Sequence, residues 1–147
     1  RGIPVLIAAD ESVRKETDPL RVAREDAADL IVVKVAPLGG VRRALEIVAA
    51  AGLPAVVSSA LDTSVGIRAG VALAASLPEL PYACGLGTLS LMTGDVSGEP
   101  MLPDGGALAV RDVPVSGELL ERWAASPAVT QWWLDRLARV YGQLAER

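Results

Sequence analysis

Short apolar runs recur along the first 85 positions, at residues 4–9, 30–35, 55–57 and, more weakly, 82–84. Each leads to a residue of another kind: Asp10, Lys34, Ser58 and Gly85, spaced 24, 24 and 27 residues apart. That interval suits one strand, one helix and the turns between them. Unbroken Val/Ile/Leu runs are the pattern of strands buried on both faces of a parallel sheet. Between the runs the apolar period lengthens to that of a helix. Val41, Ala44, Leu45 and Val48 lie at i, i+3, i+4 and i+7, with Arg42, Arg43 and Glu46 mostly opposite, and Gly52 followed by Pro54 closes the pattern. Leu20, Ala23 and Ala27 make a similar stripe behind Asp18 and Pro19, an N-cap followed by proline at the first helical position. A third helix is predicted to start at Asp62 or Ser64, run through Ile67, Val71 and Ala74, and stop at Pro78. Strands alternating with helices predict an α/β fold with parallel pairing.

Beyond Leu91 the pattern changes. Thr93-Gly94-Asp95 and Pro103-Asp104-Gly105-Gly106 are turn signals, and Leu102 with residues 107–110 is expected to form a short hairpin about the second. Residues 119–123 and 127–144 have helical patterning, with Trp133, Leu137 and Val140 on one apolar face. The chain therefore divides into residues 1–94, built of βα units, and residues 95–147, an excursion followed by helices. Trp132 and Trp133 are expected to pack against parts of the protein outside this sequence, with ligand stacking the weaker reading.

Asp10 and Lys34 stand out because an unpaired charge buried inside a strand is expensive. At the carboxyl end of a strand the cost falls, since the side chain reaches the crevice where α/β sheets and barrels bind ligands. Lys34 sits between valines, whereas Lys15, the other lysine among 14 basic residues, lies in a polar stretch. Each residue also has a plainer reading. Asp10 serves equally as a loop or capping carboxylate, and Lys34 as a structural ion-pair partner. Ser58 and Ser59 alternate in direction on a strand, so one points inward and the other caps the turn at Asp62. Cys84 reads as a small buried residue.

Composition narrows the classes. Half of the residues (51%) are hydrophobic, yet no apolar stretch reaches the ~20 residues of a membrane span, so no membrane role is expected. A net charge of −4, with three Trp and two Tyr, argues against nucleic-acid binding. One cysteine excludes an intrachain disulfide, and with no signal-peptide pattern the expected compartment is reducing and cytoplasmic. No histidine is present, which removes imidazole acid/base chemistry, Ser-His-Asp triads and His-ligated zinc from these residues. The sequence opens on Arg1-Gly2-Ile3-Pro4, without an initiator methionine, and is expected to be part of something longer. Four βα units make half of an eight-stranded barrel or a small open sheet. The absence of a Gly-x-Gly-x-x-Gly turn after the first strand, and the polar strand ends, favour the barrel.

Four segments carry a family resemblance. Ala9-Asp10-Glu11-Ser12, Val33-Lys34-Val35-Ala36-Pro37-Leu38-Gly39-Gly40, Ser58-Ser59-Ala60-Leu61-Asp62-Thr63-Ser64-Val65-Gly66 and Gly85-Leu86-Gly87-Thr88-Leu89-Ser90-Leu91-Met92 resemble, in order and spacing, the o-succinylbenzoate synthase family. That family belongs to the muconate-lactonizing-like subgroup of the enolase superfamily. The resemblance implies the C-terminal half of a TIM-like (β/α) barrel, with units five to eight in residues 1–94 and residues 95–147 packed on the barrel or a capping domain. It implies a metal-dependent lyase of menaquinone biosynthesis, which dehydrates 2-succinyl-6-hydroxy-2,4-cyclohexadiene-1-carboxylate to o-succinylbenzoate.

By the same resemblance Asp10 matches the third carboxylate ligand of an essential Mg2+, replaceable by Mn2+, and Glu11 lies behind it. Lys34 matches the lysine of the sixth strand, which holds its ammonium over the cyclohexadienyl face of the intermediate. Ser58 and Ser59 match positions that face the substrate. Gly85, Gly87 and Thr88 fall where backbone N–H groups meet its carboxylate, although many relatives have Asp at the place of Gly87. The acid/base lysine of the second strand and two further metal ligands lie outside this sequence. The implied partners are therefore a small carboxylate substrate and the N-terminal half of the same protein. Two alternatives remain. One is an N-succinylamino-acid racemase or related enzyme, in which Lys34 is one of two opposed bases, and the other is an inert half-barrel serving as a binding or assembly module.

Overall fold

A computed structural model describes residues 4–145. Three parallel strands, β1 (Ala8–Ala9), β2 (Leu30–Lys34) and β3 (Ala55–Ser58), form a sheet in that order. They alternate with helices α1 (Asp18–Arg24), α2 (Val41–Ala51) and α3 (Ser64–Ser76). A single parallel bridge from Ser58 to Gly85 adds a fourth position beside β3. A 3₁₀ turn (Thr88–Leu91) follows, then α4 (Gly117–Arg122) and α5 (Pro127–Ala145).

The strand sequences read as continuous apolar runs, but the sheet treats its two faces differently. Ile31, Val33, Ala55 and Val57 are buried in one core with Val22 of α1, Ala44 and Ile47 of α2, and Ile67, Val71 and Leu73 of α3. The alternate residues Val32, Lys34, Val56 and Ser58 are only partly buried, because no described element lies over their face. Burying an apolar side chain of this size stabilises the fold by roughly 1.5–3 kcal/mol. The helical face of the sheet therefore dominates cohesion.

Several expectations change in detail. The run 4–9 pairs only over Ala8–Ala9, and Val5, Leu6 and Ile7 are exposed. β1 is the outer strand among the described residues and lacks a neighbour on its far side. The run 82–84 forms no strand and reduces to the bridge at Gly85. In α1 the buried residues are Pro19 and Val22, while Leu20 and Ala27 are exposed, since the helix has seven residues and ends before Ala27. Thr17 occupies its N-cap position, so Asp18 stands inside the helix. The Asp18 carboxylate accepts from the backbone N–H groups of Arg14 and Lys15 at 2.9 and 2.8 Å. Those two bonds, from Arg14 first and then Lys15, hold its pKa below the ordinary carboxylate value.

α2 ends as its sequence predicts, with Gly52 in the left-handed region (φ 65°) donating its N–H to the Val48 carbonyl. The buried centre of its face is Ala44 and Ile47, flanked by Val41, Leu45 and Val48. The expected hairpin contracts to a turn. Asp104 and Ala107 exchange two backbone bonds of 2.9 Å across Gly105 and Gly106, whose φ values are 55° and 81°. Leu102 and Val110 on either side are exposed, and among the described residues no strand extends from the turn.

Residues 95–113 lie against α3, with Met101 in the core, Ser97 buried and Arg68 bonded to Asp112 at 3.1 Å. Every described residue of α5 is exposed, including Trp132 and Trp133, which meet edge to face at 4.8 Å. No described helix is long and apolar enough to cross a membrane.

Candidate functional site

The carboxyl ends of the strands gather four of the residues singled out by the sequence. Lys34 is the last residue of β2, and its ammonium pairs with the carboxylate of Asp10, which follows β1 directly. The two are 24 residues apart. Parallel pairing of Ala9 with Ile31 brings them together, because continuing that register sets Asp10 beside Val32 and on the Lys34 side of the sheet. Side-chain exposure is 13% for Lys34 and 46% for Asp10, so the ammonium is largely withdrawn from water while its partner stays accessible. Across the next register Lys34 stands opposite Ser58, which bridges to Gly85.

The two serines do different things. Ser58 shares the Lys34 face and directs its hydroxyl to the Gly85 carbonyl at 3.3 Å. Ser59 is buried, donates to the same carbonyl at 2.8 Å and lies 2.8 Å from the Thr88 hydroxyl. A hydroxyl has one hydrogen, so with Ser59 donating to Gly85 the bond from Thr88 must run toward Ser59. Ser59 does not cap the turn at Asp62. That turn closes on itself, with the Ala60 N–H donating to Asp62 at 3.2 Å.

Gly85 admits no side chain easily, since a Cβ there would lie 2.8 Å from the Ser58 hydroxyl oxygen. Its N–H donates to Val57, whereas the N–H groups of Gly87 and Thr88 donate to no described residue. Gly87 has an ordinary φ of −89°, and an added Cβ would meet only Pro103 at 3.6 Å. A Cβ is sterically tolerated there. Glu11 is not brought to Lys34, because it is exposed and paired with Arg14. Cys84 is a half-buried free thiol. A cleft of about 80 Å³ lies between the β2 and β3 loops, lined in part by Lys34, Ser58, Ser59 and Asp62.

The arrangement can hold a positive charge at the strand ends and recognise an anion beside it. Asp10 suits one place in the shell of a hard cation, and its carboxylate already engages the Lys34 ammonium. Among the described residues no group of three His, Cys, Asp or Glu side chains could hold a metal. Asp10 therefore belongs to no such group among the described residues.

Sequence reasoning missed Asp95, read there only as part of a turn. Its carboxylate accepts from the Ser64 N–H at 2.9 Å and from the Ser64 hydroxyl. No local signal links residues 31 positions apart.

Parallel βα units that gather polar side chains at the carboxyl ends of the strands are shared by open α/β sheets and (β/α) barrels. Residues 1–117 match the family described as Enolase C-terminal domain-like, and the chain belongs to that family. It is similar to an o-succinylbenzoate synthase of Thermobifida fusca, 57% identical over 138 residues that cover 94% of this chain and 43% of that protein. The protein of the same name from Mycobacterium leprae is 53% identical over 98% of this chain and 43% of its own length. Among solved structures, muconate lactonizing enzyme from Pseudomonas fluorescens, in complex with muconolactone, aligns with a TM-score of 0.75 and 28% identity. That alignment covers 82% of this chain and 34% of the enzyme. The chain thus spans under half the length of the curated relatives it matches.

Proposed function

We propose that this chain is the C-terminal part of an o-succinylbenzoate synthase, a cytoplasmic enzyme that dehydrates 2-succinyl-6-hydroxy-2,4-cyclohexadiene-1-carboxylate. The observation that carries the reading is the Lys34 ammonium at the end of β2, withdrawn from water, paired with Asp10 and opposite Ser58. The similarity to synthases at 51–57% identity supports the same reaction.

In this reading the reaction removes the proton α to the carboxylate and expels hydroxide from the neighbouring carbon with acid assistance. One C–H and one C–O bond break, water leaves, and the ring becomes aromatic. The base is a lysine of the upstream half. Lys34 holds its ammonium over the face of the ring as negative charge develops there, a cation–π contact. Ser58 borders the ring, and the N–H groups of Gly87 and Thr88 receive the carboxylate. Asp10 would be one ligand of a Mg2+ whose remaining ligands come from upstream. When bound, that cation supplies positive charge beside the substrate carboxylate. Residues 95–147 complete the assembly by packing α5 on the barrel or capping domain.

Lys34→Met and Lys34→Arg in the full-length protein test this assignment. A desolvated cation–π contact is worth about 2 kcal/mol, so Lys34→Met is expected to lower kcat/KM for dehydration about 30-fold, and Lys34→Arg to recover most of it. A loss of ~10³-fold or more in both variants would make Lys34 the proton-transfer group instead, as in a racemase. Undiminished dehydration in Lys34→Met would overturn the assignment.

A further inference from the structure

Asp95 joins two loops that the sequence keeps far apart. Ser64 is the first residue of α3 and is fully buried. Its N–H donates to one oxygen of Asp95 at 2.9 Å, and its hydroxyl donates to the other. The same hydroxyl accepts from the Met101 N–H at 2.8 Å. Thr63, at the N-cap, makes no side-chain capping bond, so the carboxylate 31 residues away takes that role. A negative charge at a helix N-terminus is favourably placed.

The tie has consequences beyond α3. The segment between Gly85 and Asp95 carries Thr88 and the N–H groups of Gly87 and Thr88, which donate to no described residue, yet it has almost no strand ladder. It is held at one end by the bridge to Ser58 and by the Ser59–Thr88 contact of 2.8 Å. Leu86 and Leu89 set its depth by burial. Asp95 holds the other end on the helix that directly follows the Ser58–Asp62 turn.

We propose that Asp95 is a positioning residue: by fastening residues 88–95 to the start of α3, it holds the Gly87 and Thr88 amides where the synthase reading places the substrate carboxylate. This rests on the synthase reading, which supplies both the substrate and the role of those amides. Asp95→Asn preserves size but removes the charge and one of the two acceptor oxygens facing Ser64.

Two measurements on the full-length protein test the proposal. With the substrate, Asp95→Asn is expected to raise KM about tenfold while kcat stays within about twofold, as expected when binding geometry alone is lost. By hydrogen exchange, amides of residues 86–92 should exchange about tenfold faster, with β2 unchanged. Unaltered KM beside a lowered melting temperature would reduce Asp95 to a helix cap and overturn the proposal. If the wild-type protein does not dehydrate the substrate, the synthase reading falls by itself. Exchange then decides the tie, and an unchanged rate at residues 86–92 overturns it.

Discussion

Gly70 lies in the middle of α3, where alanine would ordinarily be preferred by about 1 kcal/mol. Here the neighbour decides against it. A Cβ at Gly70 would stand 2.6 Å from Leu86 Cδ2 and 3.7 Å from Cδ1. Leu86 is itself in the core, so its methyl group moves only by disturbing the packing around it. Overfilling of this kind costs typically 1–3 kcal/mol, taken here as about 2. Gly70→Ala should therefore destabilise the full-length protein by about 1 kcal/mol, the difference between packing loss and helical gain. Truncation of the neighbour should reverse the sign. In a Leu86→Ala background the new methyl has room, and the same substitution should stabilise by about 1 kcal/mol, a coupling of about 2 kcal/mol in the double-mutant cycle. Urea unfolding of the four proteins, followed by tryptophan fluorescence and circular dichroism, measures that coupling. A single Gly70→Ala variant more stable than wild type would refute the claim that α3 needs glycine to approach the 85–88 segment.

Two further outcomes follow from local geometry. Asp18 has a lowered pKa in the folded chain because it accepts from the Arg14 and then the Lys15 backbone N–H. Its contribution to stability is therefore present above the unfolded carboxylate pKa and disappears as pH falls through the lower folded value. The stability curves of wild type and Asp18→Asn should separate near neutrality and converge in acid, and a gap that widens toward low pH would contradict the assignment. Gly85→Ala sets a Cβ 2.8 Å from the Ser58 hydroxyl oxygen, displacing Ser58 or the strand bridge. Steady-state kinetics of the full-length protein should show kcat/KM reduced about tenfold. Wild-type kinetics in Gly85→Ala would show that this close approach does not matter.

The elements legible in the sequence are those whose period and stops are local. β2, β3, α2 and α3 follow from apolar runs, a 3.6-residue stripe and the Gly52-Pro54 and Pro78 stops, all of which act over a few residues. The edges are less legible. The apolar character of residues 4–7 resembles that of β2, yet the ladder takes only Ala8–Ala9, and residues 82–84 form no strand although Gly85 next to them bridges to β3. Of the site, Lys34 was visible as a lysine enclosed by valines, and the spacing of Asp10 from it suggested a shared location. Tertiary structure decided which groups meet. Register set Lys34 on Asp10 and opposite Ser58, turned Ser59 the other way toward Gly85 and Thr88, and sent Glu11 to Arg14. The Asp95–Ser64 tie lay furthest from sequence reasoning, because a carboxylate can cap any helix start the folded chain brings to it, and nothing local names that partner.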